Sequence, residues 1–238
     1  MPREPLFFQP YLSRRASDEI AENIRKAVFS KRLKKGTRLP SERSLAKEFQ
    51  VGRLAVREAL RSLETRGIIK IRKGSSGGPY IDSADLKETA SIVMDNLEIE
   101  GIMGEEIAVA RMILAKAVIE LAVENATPED LEDISKYINE SKTVVNHDNL
   151  YELVSRLVDF HILLAKASHN KPLIMFTAIL MEWARRRLKR WLPKVEEQLE
   201  IFKFHQEIFD SMKLKNAALA SRIMDNHIAR INKRLKRL

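Results

Sequence analysis

Between Gly36 and Ile81 a helical apolar pattern is interrupted by a turn, resumes, and then gives way to an alternating one, and few folds accommodate that order. Ser41 is followed by Leu45, Ala46 and Phe49, which share one face of a short helix over about 42–49. A serine at that point can cap the free N–H groups of the first turn. Gln50-Val51-Gly52 reads as a turn. A second helix follows over about 53–66, with Val56, Ala59, Leu60 and Leu63 as its inward stripe. Gly67 stands just past its end, where a left-handed residue closes a helix. The period then drops to two in Ile68-Ile69-Lys70-Ile71-Arg72, KGSSGG supplies a flexible tip, and Pro79-Tyr80-Ile81 returns as a strand. Two short helices across a tight turn, then a glycine-tipped hairpin, predict a winged helix-turn-helix.

The charges on this unit point to a duplex. Arg53, Arg57 and Arg61 recur at i, i+4 and i+8 beside the apolar stripe, so they line one exposed face. A helix that buries one face and offers arginines on the next is built to enter a major groove. The planar guanidinium matches guanine O6 and N7, or two phosphate oxygens. Arg43 lies in the first turn of the preceding helix, and Lys73-Gly74 at the hairpin tip, where glycine permits close backbone approach. Any one of these arginines alone reads more simply as a solvated surface charge; the set on this scaffold does not. Net charge is +9, but residues 1–80 hold 19 basic and 8 acidic side chains, whereas 81–238 hold 23 and 25. One module meets a polyanion and the other does not. The basic cluster Arg230, Lys233, Arg234, Lys236, Arg237 reads as a solvated helix end.

The remainder reads as helix. Before the winged unit, residues 1–16 form an irregular arm, and a helix from about 17 to 30 is expected, with Ser17 as its cap. From Leu86 on, segments fall at about 86–99, 104–125, 128–144, 149–168, 171–191, 195–214 and 216–236. Thr127-Pro128-Glu129-Asp130 supplies a cap, a proline in the first turn and early acid. Seven helices without a strand signal imply an antiparallel bundle. The fold class is therefore mainly α: residues 1–81 a winged helix-turn-helix with a small β-hairpin wing, 82–86 a linker, and 87–238 an all-helical antiparallel bundle of about seven helices. A hydrophobic share of 45% supports a packed core. No apolar run approaches the roughly 18 residues of a membrane span, and no secretory leader is evident. The absence of cysteine excludes disulfides and thiolate metal sites. These features predict a soluble, cytoplasmic, nucleoid-associated protein with no membrane partner.

Residues 36–81 resemble the DNA-binding domain of the GntR family of bacterial transcription regulators. The resemblance rests on Leu39-Pro40-Ser41-Glu42-Arg43-Ser44-Leu45-Ala46, on Val51-Gly52-Arg53 and on Val56-Arg57-Glu58-Ala59-Leu60. It implies that Arg43, Arg53, Arg57, Lys73 and Gly74 contact DNA. Gly52 departs from the family's Ser/Thr cap, and Leu54-Ala55 from its polar pair, so an operator that differs from the family norm is expected.

Residues from about 85 to 235 are similar to the helical effector domain of the FadR subgroup, often called FCD. The matching pieces are Arg111, Thr127 to Leu131, Phe160-His161, Ala167 to Asn170, His205 and His227. This implies a homodimer that senses a small molecule, often a carboxylate, with Arg111 gripping it. It also implies a divalent metal of Zn or Ni type held by His161, His205 and His227. The acidic ligand of the family pattern is missing, because Leu157 stands four residues before His161. Asp159 lies two residues before His161, about 200° round the helix, and cannot substitute. A metal-free pocket is the alternative. A structural ion pair is the alternative for Arg111. One of Arg185, Arg186 and Arg187 is expected to reach the pocket or an interface; Met175, Phe176 and Trp183 are expected in the core, and His147 and His169 at the surface. The functional expectation is a ligand-responsive repressor, not an enzyme, bound to a pseudo-palindromic double-stranded operator. The alternatives are a metal-dependent hydrolase with a basic module and a non-specific nucleic-acid binder.

Overall fold

A computed structural model describes residues 16–74, 77–82, 85–102, 104–144, 149–190 and 193–235. The N-terminal arm, His147 and Trp191 lie outside the described residues. The chain divides into two compact units, 1–85 and 86–238.

In the first unit α1 (Ala16–Phe29) packs on α3 (Arg53–Thr65), and α2 (Glu42–Glu48) joins α3 across the turn. Ile20, Ile24, Leu45, Val56, Leu60 and Leu63 form the buried centre. Ser41 caps α2 by accepting from the Ser44 N–H at 3.2 Å. Ser17 does not cap α1; it lies inside the helix and is buried. The residue with positive φ in the turn is Gln50 (54°), while Gly52 is extended at −67° and caps α3 without a side chain. Gly67 closes α3 at φ 67°, with Ile68 N–H donating to the Leu63 carbonyl.

Strands β1 (Ile69–Arg72) and β2 (Gly78–Ile81) pair antiparallel, Ile69 opposite Ile81 and Arg72 opposite Gly78. The stretch expected only to break the first helix does more. Leu39 N–H donates to the Pro79 carbonyl and Ile81 N–H to the Thr37 carbonyl, so 37–39 lies along the outer edge of β2. A two-stranded ribbon is marginal alone, and this third segment pins its base.

The second unit contains α4 (Leu86–Ile99), α5 (Gly104–Asn125), α6 (Pro128–Ser141), a short 3-10 turn (Lys142–Val144), α7 (Leu150–Ala167), α8 (Lys171–Arg190), α9 (Val195–Lys213) and α10 (Ala217–Leu235). Helix α5 packs against α10 and α7, α8 against α7 and α4, and α9 against α10. Thr127 and Asp130 form a reciprocal capping box at the start of α6, with proline in its first turn. Two apolar clusters fill the bundle, one around Met94, Val154 and Trp183, the other around Ile119, Leu164 and Ile228. Of the expected core residues Trp183 is buried, Met175 is half-buried and Phe176 is exposed. Phe176 precedes Thr177 and Ala178, which take the inward face of α8, so its ring is turned to solvent. None of the described helices is long and apolar enough to cross a membrane.

Candidate nucleic-acid interface and effector site

Helix α3 buries Val56, Ala59, Leu60 and Leu63 and leaves Arg53, Arg57 and Arg61 exposed. The exposed face is free because the apolar stripe alone satisfies the core. Glu42, in the first turn of α2, accepts from Arg57 Nη2 at 3.0 Å and Nε at 3.3 Å. It also lies 3.9 Å from Arg53 Nη2. One carboxylate thus organises two arginines. Its hydrogen bond, followed by its charge, raises the Arg57 guanidinium further above its ordinary value. Arg43 is exposed on α2, and Lys73 and Gly74 are exposed where β1 ends, Gly74 with φ 104°.

The wing carries a basic pair that sequence reasoning passed over. The Arg72 guanidinium sits 4.3 Å from the Tyr80 ring centre, and Arg38 lies 5.9 Å from it while donating to the Gly77 carbonyl at 2.5 Å. Such stacking holds planar cations over a ring without neutralising them. Arg38 reaches Tyr80 only because 37–39 joins the hairpin, so no local pattern could have paired them.

In the helical unit Arg111 sits mid-α5, only 3% exposed. Its Nη1 donates to Asn232 Oδ1 at 2.7 Å, and Asn232 Nδ2 donates to the Ala108 carbonyl at 3.0 Å. The Arg111 Nε has no partner. Burial lowers the guanidinium to about 10, so it stays charged at neutral pH. Among the described residues the ion pair weighed for Arg111 is replaced by the Asn232 amide, which orients the fork and adds no countercharge, and the Trp183 ring centre lies 5.5 Å from the guanidinium.

The three histidines converge from α7, α9 and α10. His161, His205 and His227 are buried, and each offers a ring nitrogen within 4.8 Å of the others. His227 Nε2 lies 3.2 Å from His161 Nε2, and the His205 ring stacks on Phe160 at 3.9 Å. Burial, then the charge of Arg111, lowers His227 to about 3. Burial, then the neighbouring imidazoles, also holds His205 well below its ordinary value; for His161 the order is burial, His227, then Arg111. All three are therefore neutral, the form that binds metal.

The donor set fits a divalent ion on three counts. Two ligands of a tetrahedral zinc lie roughly 3.3 Å apart, from bonds of about 2.0–2.1 Å, close to the His161–His227 spacing. His205 Nε2 is buried and has no partner, so its lone pair is free for an ion. The rings come from three helices and bring one nitrogen each within 4.8 Å of the others. Among the described residues no acidic ligand joins them: Leu157 is buried and lines the adjoining cavity. Asp159 pairs with Arg185 at 2.5 Å and Lys87 at 3.3 Å.

Two small cavities flank this centre, and both are lined by Arg111, His161 and Met181. Their walls are built without Arg185, Arg186 and Arg187. Arg185 ties α8 to α7 through Asp159 and Ser155. Arg186 ties α8 to α4 through Asp95, Glu98 and Ser91. Arg187 lies 5.7 Å from the Trp183 ring centre. His169 is exposed, with Nε2 2.8 Å from Asp130.

Comparison with known proteins agrees with both units. Residues 16–77 match the model of bacterial regulatory proteins of the gntR family, and 106–230 match the FCD domain. The HTH-type transcriptional repressor NanR of Klebsiella aerogenes is 30% identical over 93% of this chain and 84% of its own length. The putative L-lactate dehydrogenase operon regulatory protein of Escherichia coli is 30% identical over 95% and 88%. A solved Streptococcus agalactiae GntR structure shares the fold, with a TM-score of 0.67 and 24% identity over 92% of this chain and 99% of that one. The chain belongs to the GntR family of bacterial regulatory proteins and carries an FCD domain behind its winged helix-turn-helix unit.

Proposed function

We propose that this transcription regulator binds a pseudo-palindromic operator as a two-fold dimer and releases it when a small carboxylate enters the helical unit. Residues 1–81 read DNA, 82–86 link, and 87–238 sense and dimerise. Arg53, Arg57 and Arg43 approach the major groove, with Lys73 and Gly74 at the wing tip. The observation that carries the DNA reading is the line of exposed arginines on α3, which the core does not require. A second copy is supported by Val109, Met112 and Ile113, large apolar side chains left exposed on α5. Repression is supported by the named NanR relative.

The effector reading rests on Arg111, a buried cation with no carboxylate partner among the described residues. Such a charge calls for an anion, and a guanidinium grips a carboxylate bidentately. His161, His205 and His227 would hold a divalent ion of Zn or Ni type, which supplies a Lewis-acidic anchor for an anionic group. With Leu157 in place of an acid, the protein leaves that charge for the effector to balance. A hydrolase would need a general base beside the trio, and no carboxylate among the described residues joins the three histidines; Asp159, two residues before His161, is committed to Arg185. Effector binding changes operator affinity only through differential affinity for two conformations. Helix α8 supplies one wall of the cavity and is tied by Arg186 to α4, the first helix after the linker.

The test is fluorescence anisotropy on operator DNA. Arg53→Ala should weaken specific binding by about 1–3 kcal/mol if that side chain reads a base pair. Unchanged affinity would remove Arg53 from the interface.

A further inference from the structure

Among the described residues of α3 that are exposed, Leu54 alone is hydrocarbon; the others are Arg53, Arg57, Glu58, Arg61, Glu64 and Thr65. Leu54 is 69% exposed. Single exposed leucines are ordinary on protein surfaces, but this one occupies a particular place. Successive residues turn by about 100° along a helix, which sets Leu54 roughly 170° round from the middle of the stripe Val56, Ala59, Leu60 and Leu63. It therefore stands opposite the buried side of α3, in the middle of the charged face. It is also the second residue of the helix, and the N-terminal end of a recognition helix is the part that meets base edges. The start of α3 reads Gly52-Arg53-Leu54-Ala55, with no hydroxyl or amide side chain among them. Arg57 and Arg53 turn toward Glu42 on α2, and Leu54 stays uncovered beside them.

Base edges in the major groove present hydrogen-bond donors and acceptors at every pair, and one hydrocarbon group, the 5-methyl of thymine. We infer that Leu54 is a specificity-determining residue that packs on the 5-methyl of one thymine in each operator half-site. The inference rests on the reading of α3 as the DNA-contacting helix and deepens it. Arg53 selects by hydrogen bonds, and Leu54 selects by apolar contact. An isobutyl group satisfies no donor or acceptor. A cytosine at that place would turn its N4 amino group to hydrocarbon and lose water without replacement, whereas thymine brings a methyl that gains from leaving water.

The probe is a duplex that the full-length protein selects from a randomised pool. Each thymine of the enriched half-site is then replaced in turn by uracil, which pairs alike and lacks only the methyl. Fluorescence anisotropy should find one thymine per half-site where the change weakens binding about fourfold, the factor expected of one buried methyl. Leu54→Ala should bind the thymine and uracil duplexes equally, and Leu54→Met, which reaches as far, should keep most of the difference. Combining the protein and base changes in one cycle isolates the contact between them. An enriched half-site without thymine, uracil tolerated at every position, or a sensitive thymine that stays sensitive in Leu54→Ala overturns the inference. Failure of the underlying reading looks different: selection would enrich no sequence at all, which overturns base reading by α3 and the role of Leu54 with it.

Discussion

Arg53 and Arg57 leave α3 on its solvent face, and Glu42 gathers both from the neighbouring helix. An exposed pair of this kind adds little stability; its effect is to hold two long side chains together on the face proposed to meet the duplex. Glu42 was part of the motif that revealed the family, but its partner lies 15 residues away and only the turn geometry brings them together. Gly52 makes a complementary case. It starts α3 with extended backbone and no side-chain cap, and a Cβ there would meet nothing within 4 Å. Gly52→Ser should therefore raise stability by a few tenths of a kcal/mol through a new cap hydrogen bond. Urea denaturation of the two proteins checks this; a loss of stability would mean that the site is not open.

At the scale of elements, the wing depends on one residue more than its composition suggests. A Cβ on Gly77 would lie 2.4 Å from the Arg72 carbonyl oxygen and 2.7 Å from that of Gly74, both backbone atoms that cannot swing away. Gly77→Ala should open the turn, displace Arg72 and Lys73 and weaken operator binding several-fold, at a cost of roughly 1–3 kcal/mol in the winged unit. Helical circular dichroism from the second unit should be unchanged. Anisotropy with the variant settles it, and wild-type affinity would show that the wing tip does not contribute. Several helix boundaries were legible because they carried local chemistry: Ser41, Gly67 and the Thr127–Asp130 box stand where helices begin or end, whereas Ser17 falls inside α1. The edge segment 37–39 was not legible, because its hydrogen bonds go to β2, about 40 residues on.

For the whole molecule, burial of the histidine trio couples stability to pH, and the proposed metal site would couple it to a divalent ion as well. In the unfolded chain each imidazole titrates near 6.5. In the folded protein all three are held lower, His227 at about 3. Between those limits the unfolded state binds protons that the native state refuses, so native stability falls as pH drops below about 6.5 and levels off only near the folded values. The slope is at most about 1.4 kcal/mol per pH unit for each excluded imidazole. Metal-free protein melted at pH 7.5 and pH 5 should show the fall, and flat melting temperatures would mean that the trio is not buried. At pH 7.5, Zn²⁺ or Ni²⁺ should raise the melting temperature, because an ion bound only by the native state stabilises it. A His205→Ala variant should lose most of that rise.

What the sequence by itself determined is the local grammar: the winged helix-turn-helix, the bundle, many of the helix ends and the residue types on the proposed DNA-binding face. Those follow from period, capping and glycine placement, which act within a few residues of one another. The tertiary structure decided which side chains share a site. It set Asn232 rather than a carboxylate on Arg111 and committed Asp159 to Arg185. These partners lie 121 and 26 positions apart in the chain. Whether a buried polar group is satisfied depends on helices that meet only when the bundle closes, and no local pattern encodes it.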